Sequence, residues 1–194
     1  MQKEQEEQRA GRNKATTINS GYIESGSFRR KFDRISDDKE LNRLLFRLAK
    51  KMLYHRSGTC YEDMYWIDAS SHEIMATEVD KDYCQEIQYS ERTKQIIKSN
   101  PGLLTIHSHP MGFPPSIEDL NSNCTNNYGL GIVVGHTGRV FLYHSNELIP
   151  SVYFGYKVAS YKLRGYNESE AREKTLQDCC EHFDVVVKEV LADE

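Results

Sequence analysis

A chain of 194 residues is long enough for one domain with an ordinary core, held without staples or metals. With 25 Lys+Arg against 29 Asp+Glu the formal charge is −4, which excludes a basic nucleic-acid binder recognisable from composition. Hydrophobic residues make up 38%, with 1 Trp, 12 Tyr and 7 Phe, enough to exclude wholesale disorder. No apolar run nears the ~18–20 residues needed to cross a bilayer.

Residues 1–20 are polar and without apolar period, and read as a flexible tail; 21–194 read as a single domain. Asp37 followed by Glu40 predicts a helix start of capping-box type. Leu41, Leu44, Leu45, Leu48, Ala49 and Met52 then recur at the helical period, and the helix is expected to stop at His55-Arg-Ser-Gly-Thr59, where Gly58 can turn left-handed. Met64–Ile67 and Glu73–Val79 read as a hairpin about Ala69–Ser71. A polar helix over Glu91–Lys98 ends before Asn100-Pro101-Gly102, and Leu103–Ile106 reads as a buried strand. Leu130–Val134 and Val140–Tyr143 form a second hairpin about Gly135–Gly138. A long helix is expected from Glu168 to Leu191, with Leu176, Cys179, Cys180, Phe183, Val187, Val190 and Leu191 on one side. The Tyr-rich stretch 150–165 carries no legible period. The order is that of a mixed α/β chain.

Five cysteines, at 60, 84, 124, 179 and 180, form no CxxC pair. Without a charged-then-apolar leader, they read as free thiols in a reducing compartment, and the protein as cytoplasmic.

One stretch carries chemistry: His107-Ser-His109-Pro, then Pro114-Pro115-Ser116-Ile-Glu-Asp119. Side chains two apart on a strand share a face, so both imidazoles point the same way. Ser116 to Asp119 resembles a first helical turn, from which a carboxylate can return to the same point. Two imidazoles and one carboxylate leave a fourth position open, the arrangement of a catalytic zinc. An N-cap serine with an acidic first turn would explain Ser116 and Asp119 alone, but not the paired histidines before them.

These residues resemble the signature of the JAMM zinc metalloproteases (also called JAB or MPN+): an upstream Glu, His-x-His-Pro, then Ser-x-x-Asp. The resemblance implies a JAB/MPN-like (cytidine-deaminase-like) core over roughly 38–146, a mixed β-sheet flanked by helices with a C-terminal helix beyond. It implies one Zn2+ per chain on His107, His109 and Asp119, with Ser116 as the serine that stabilises the oxyanion. The family's glutamate follows the first long helix, on the first strand, and Glu62 occupies that place. The family usually has seven residues between the second His and the Ser, and here Pro110 to Pro115 make six. A prokaryotic and phage-associated subset has similarly short spacing, and Arg30-Lys-Phe-Asp33, His55–Thr59 and Glu62-Asp-Met-Tyr-Trp66 also resemble it.

The activity so implied is hydrolysis of amide bonds in a protein or peptide, ubiquitin-like modifiers among them. In that chemistry a zinc ion acidifies water and acts as a Lewis acid, Glu62 carries the proton, and Ser116 donates to the oxyanion. Glu73 and Glu78 are the alternative bases, and Glu118 the alternative ligand to Asp119. Cys124 reads as a small packed residue, His136 as a solvated turn residue, and His55 and His72 as lacking partners at metal spacing. Two other functions stand beside this one: an inactive JAB-like interaction module, and a metal-dependent hydrolase linked to DNA or mobile elements. Net acidity weighs against nucleic acid as the substrate.

Overall fold

A computed structural model describes residues 14–79, 83–84 and 87–192. Most of the expected tail therefore lies outside the described residues. Its last part does not hang free: Thr16 is buried, and its carbonyl accepts from Gly58 N at 3.0 Å. Two short helices follow, α1 (Ser20–Ile23) and α2 (Gly26–Phe32), and then the long α3 (Lys39–Arg56). Asp38 rather than Asp37 caps α3, its carboxylate accepting from the backbone of Glu40 and Leu41. Gly58 takes φ +79° just past the end, as its place in the sequence requires.

Six strands form one mixed sheet: β1 (Met64–Ile67), β2 (Ile74–Glu78), β3 (Leu104–His109), β4 (Gly131–Gly135), β5 (Val140–Ser145) and β6 (Val185–Glu189). Their order is β2-β1-β3-β4-β5-β6. Among the described residues only β3 and β4 run parallel, and the other strand pairs are antiparallel. A parallel pair needs a crossover, and α5 (Ile117–Thr125) provides it. The other helices are α4 (Glu91–Ser99), α6 (Ser151–Leu163) and α7 (Glu168–His182).

The sheet is covered on both faces. On one, Leu41, Leu45, Leu48 and Met52 of α3 pack on Tyr65, Ile106, Ile132 and Val134. On the other, Val133, Phe141 and Tyr143 meet α5, Phe154 of α6 and Leu176 of α7, and Trp66 meets Ile97 of α4. A central strand covered on both faces reads as a continuous apolar run, which is why β1 has no alternation.

Three points of the sequence reading change, two expectations and one stretch left open. The long C-terminal helix stops at His182; Val185, Val186 and Val187 favour an extended chain and pair with β5 as an edge strand. Their positions fit the helical period, but three β-branched residues in a row fit a pleated surface better. The unassigned stretch 150–165 is α6, whose period is illegible because Phe154 is its single buried residue. Third, Cys60 and Cys84 are not free thiols but form a disulfide, brought together where Tyr61 bridges Cys84 in an antiparallel contact. That removes the ground for reading the cysteines as signs of a reducing compartment. Cys124, Cys179 and Cys180 are free. Among the described residues no helix is long and apolar enough to cross a membrane.

The disulfide joins positions 24 apart, a loop whose closure restricts the unfolded chain by about 3.5 kcal/mol. Paired Cys60→Ser and Cys84→Ser substitutions should lower the urea-unfolding free energy by about that amount. A reductant should have the same effect on the wild type and none on the variant.

Candidate metal centre

The register of β1 against β3 sets the site. Met64 lies opposite His107, and the ladder continues one step further: Ser108 N donates to Asp63 O and Asp63 N donates to Ser108 Oγ, both at 3.1 Å. The next residue, Glu62, therefore faces His109 on the same side of the sheet. Glu62 sits two residues ahead of β1 rather than on the strand, since regular pairing begins only at Met64.

β3 runs through His109, further than the apolar run indicated. After it the chain turns back sharply: His109 O accepts from both Gly112 N and His136 N at 3.1 Å. Gly112 has φ +69°, and a Cβ there would lie 2.3 Å from Thr137 Oγ1, so only glycine fits. The loop ends at Ser116, which caps α5. Ser116 Oγ accepts from Asp119 N at 3.1 Å, while Ser116 N and Oγ donate to Asp119 Oδ2 at 2.7 and 2.8 Å. This capping box fixes the Asp119 carboxylate facing the histidines. The cap and the ligand are thus one feature rather than rival explanations.

Three donors converge. The two Nε2 atoms of His107 and His109 are 3.1 Å apart. Asp119 Oδ1 lies 3.2 Å from His107 Nε2, and Oδ2 3.4 Å from His109 Nε2. A tetrahedral ion with ligands at ~2.0–2.1 Å requires ligand-to-ligand edges of about 3.3–3.4 Å. The two imidazole nitrogens are spaced close to such an edge, and each has an oxygen of the Asp119 carboxylate, Oδ1 or Oδ2, within 3.2–3.4 Å. Among the described residues this is the one group of three or more His, Cys, Asp and Glu so placed, and it could hold a metal ion.

The surroundings fit that role. His109 Nδ1 lies 3.0 Å from the Phe113 carbonyl, which favours hydrogen on Nδ1 and leaves Nε2 turned to Asp119. The Tyr143 ring stands edge-on to His107, 6.2 Å between centroids, in space that Gly131 leaves open. Burial alone would raise the pKa of Asp119, but the two imidazoles hold it well below the usual carboxylate range. Burial likewise opposes charge on His109, yet Asp119, Glu62 and the Phe113 carbonyl push its pKa up to about 9. At this distance the two Nε2 atoms cannot both present lone pairs to each other, so either a hydrogen on one of them or a metal ion lies between them. Glu62 is pushed up by burial, against the opposing pull of His109 and His107.

These groups open onto a cleft of about 690 Å³ lined by Glu62, His109, Ser116 and Asp119. Its remaining walls are largely apolar, among them Met64, Tyr89, Phe113, Phe154 and Leu176. The alternatives fall elsewhere. Glu73 is exposed, Glu78 is buried and accepts from Ser90 N and Thr93 Oγ1 at 2.7 Å, and Glu118 is exposed at the rim. Cys124 does not join the donors. His136 is not a solvated turn residue: it is buried, its Nδ1 2.6 Å from Thr16 O, and burial lowers its pKa. His72 pairs with Asp38, and His55 with Asp63. Sequence reasoning missed Phe113, whose contribution is a backbone carbonyl and leaves no side-chain signal, and Asp63, hidden beside Glu62.

Compared with protein-family models, curated proteins and solved structures, the chain matches none.

Ligation needs a neutral His109, so below pH 9 each metal ion bound should expel about one proton from that imidazole, and an ion-bound water of pKa near 7 would add to the release above pH 7. Apparent zinc affinity should therefore fall at least about tenfold per pH unit from pH 9 toward 7. Adding zinc to weakly buffered metal-free protein, followed by pH electrode, should acidify the solution. His109→Gln should lower the release by about one proton per ion bound.

Proposed function

We propose that the chain is a zinc-dependent peptidase or isopeptidase on a JAB/MPN-like core, acting on a protein or peptide substrate. The observation that carries this reading is the convergence of two imidazole nitrogens and one carboxylate within metal-ligand reach of one another, with Glu62 facing them across the β1–β3 register.

His107, His109 and Asp119 would hold the zinc, which when bound supplies a Lewis acid and a water acidified to near pH 7. Glu62, facing His109 in the cleft, is the group that accepts a proton at its carboxylate and returns it to the leaving amine nitrogen. Its raised pKa suits the return step, because a protonated carboxyl survives closer to neutral pH. Ser116 has two duties. Its hydroxyl donates to Asp119 Oδ2, holding the ligand; to serve the substrate oxyanion it must rotate away from that oxygen. The apolar walls exclude water from the reacting bond and bind the side chains beside it.

Elemental analysis should find about one zinc per chain, and none in a variant combining His107→Ala and His109→Ala. Zinc-loaded protein should cleave a mixed peptide library read by mass spectrometry. Glu62→Gln should keep its zinc and lose at least ~10²-fold in turnover. No zinc after reconstitution, or full turnover in Glu62→Gln, would overturn the proposal.

A further inference from the structure

Glu62 is flanked in sequence by two residues that one arginine holds. Arg56, the last residue of α3, is buried. Its Nε donates to Asp63 Oδ1 at 2.5 Å, and a terminal nitrogen of the same guanidinium donates to the Val79 carbonyl just past β2. The guanidinium plane also lies over the Tyr61 ring, 5.6 Å from its centroid. Asp63 is 1% exposed, and its second oxygen lies 2.7 Å from His55 Nδ1. Its backbone carries the two hydrogen bonds to Ser108, the residue between the histidines.

We infer that Arg56 is a positioning residue: through Tyr61 and Asp63 it fixes the backbone on both sides of Glu62 and so holds that carboxylate opposite His109. This rests on the proposed role of Glu62. A buried ion pair adds little net stability over a packed apolar pair. Its use here is geometric. The segment before β1 lacks regular strand pairing; the Cys60–Cys84 link and the Tyr61–Cys84 bridge hold its start and the Ser108 bonds its end, and the arginine joins the two sides of Glu62. The arginine fork is required because two acceptors, the Asp63 carboxylate and the Val79 carbonyl, lie in different directions from one side chain. Lysine keeps the charge but not the fork.

The test uses zinc-loaded full-length protein and the variant Arg56→Lys, with Asp63→Asn as a second, isosteric break of the same tie. Backbone amide exchange followed by NMR should speed up at least tenfold at Glu62, Asp63 and Ser108, and stay unchanged in β4 and in α3 before its last turn. Zinc should remain at one per chain. On the mixed peptide library, turnover should fall by about 10²-fold with KM unchanged, the cost of a misplaced reacting group. In a Glu62→Gln background the same substitution should cost nothing further, because it acts through Glu62; a merely structural role would reduce both backgrounds alike. Unchanged exchange at Glu62 and Asp63 in both variants, or a full additional loss in the Glu62→Gln background, would overturn the inference. If the wild type holds zinc and cleaves nothing, the reading of function fails instead, and the exchange data still decide whether the tie holds.

Discussion

The arrangement depends on one alignment, the antiparallel register of β1 against β3. Sliding it by one residue would move Glu62 to the opposite face from the histidines, because side chains alternate. Much of the surrounding structure resists that slip. Tyr65 and Ile67 are buried against α3, while Met64 and Trp66 are buried on the other side, so a shift would exchange two packed faces at once. The Ser108 bonds to Asp63 extend the same register to the doorstep of Glu62.

A second constraint is charge. Three donors with little exposure crowd within reach of one another, an arrangement that costs free energy unless hydrogens or a metal ion lie among them, and the group could hold such an ion. Asp119 stays ionised while its own helix cap satisfies its second oxygen. The cap residue thus gains a role that an ordinary N-cap lacks.

Much of this was legible in the sequence, and the pattern of failure has physical reasons. The elements with strong period or punctuation (α3, the β1–β2 hairpin, β4 and β5) fall within a residue or two of expectation. His107, His109 and Asp119 were legible because a strand's alternation and a helix's first turn are local rules, and here both ends of the site are local. Glu62 was placed by analogy of position, and the β1–β3 pairing brings it to His109 by way of the adjacent Asp63–Ser108 contact, which joins residues 45 apart in sequence. What stayed hidden is what depends on tertiary partners: α6, which buries one residue; β6, whose valines also fit a helix; the Cys60–Cys84 link; and Arg56, whose role is visible only once Asp63 and Val79 stand beside it.

The three donors all lie between positions 107 and 119, in a single strand–turn–helix unit, whereas Glu62 comes from a distant part of the chain. Bringing the donors together closes only a short loop, while adding Glu62 requires the whole front edge of the sheet to dock. The three donors therefore depend on local chain geometry, and the placement of Glu62 on long-range strand pairing. A change confined to the segment before β1, or to the end of α3 that holds it, would move Glu62 and leave the three converging side chains where they are.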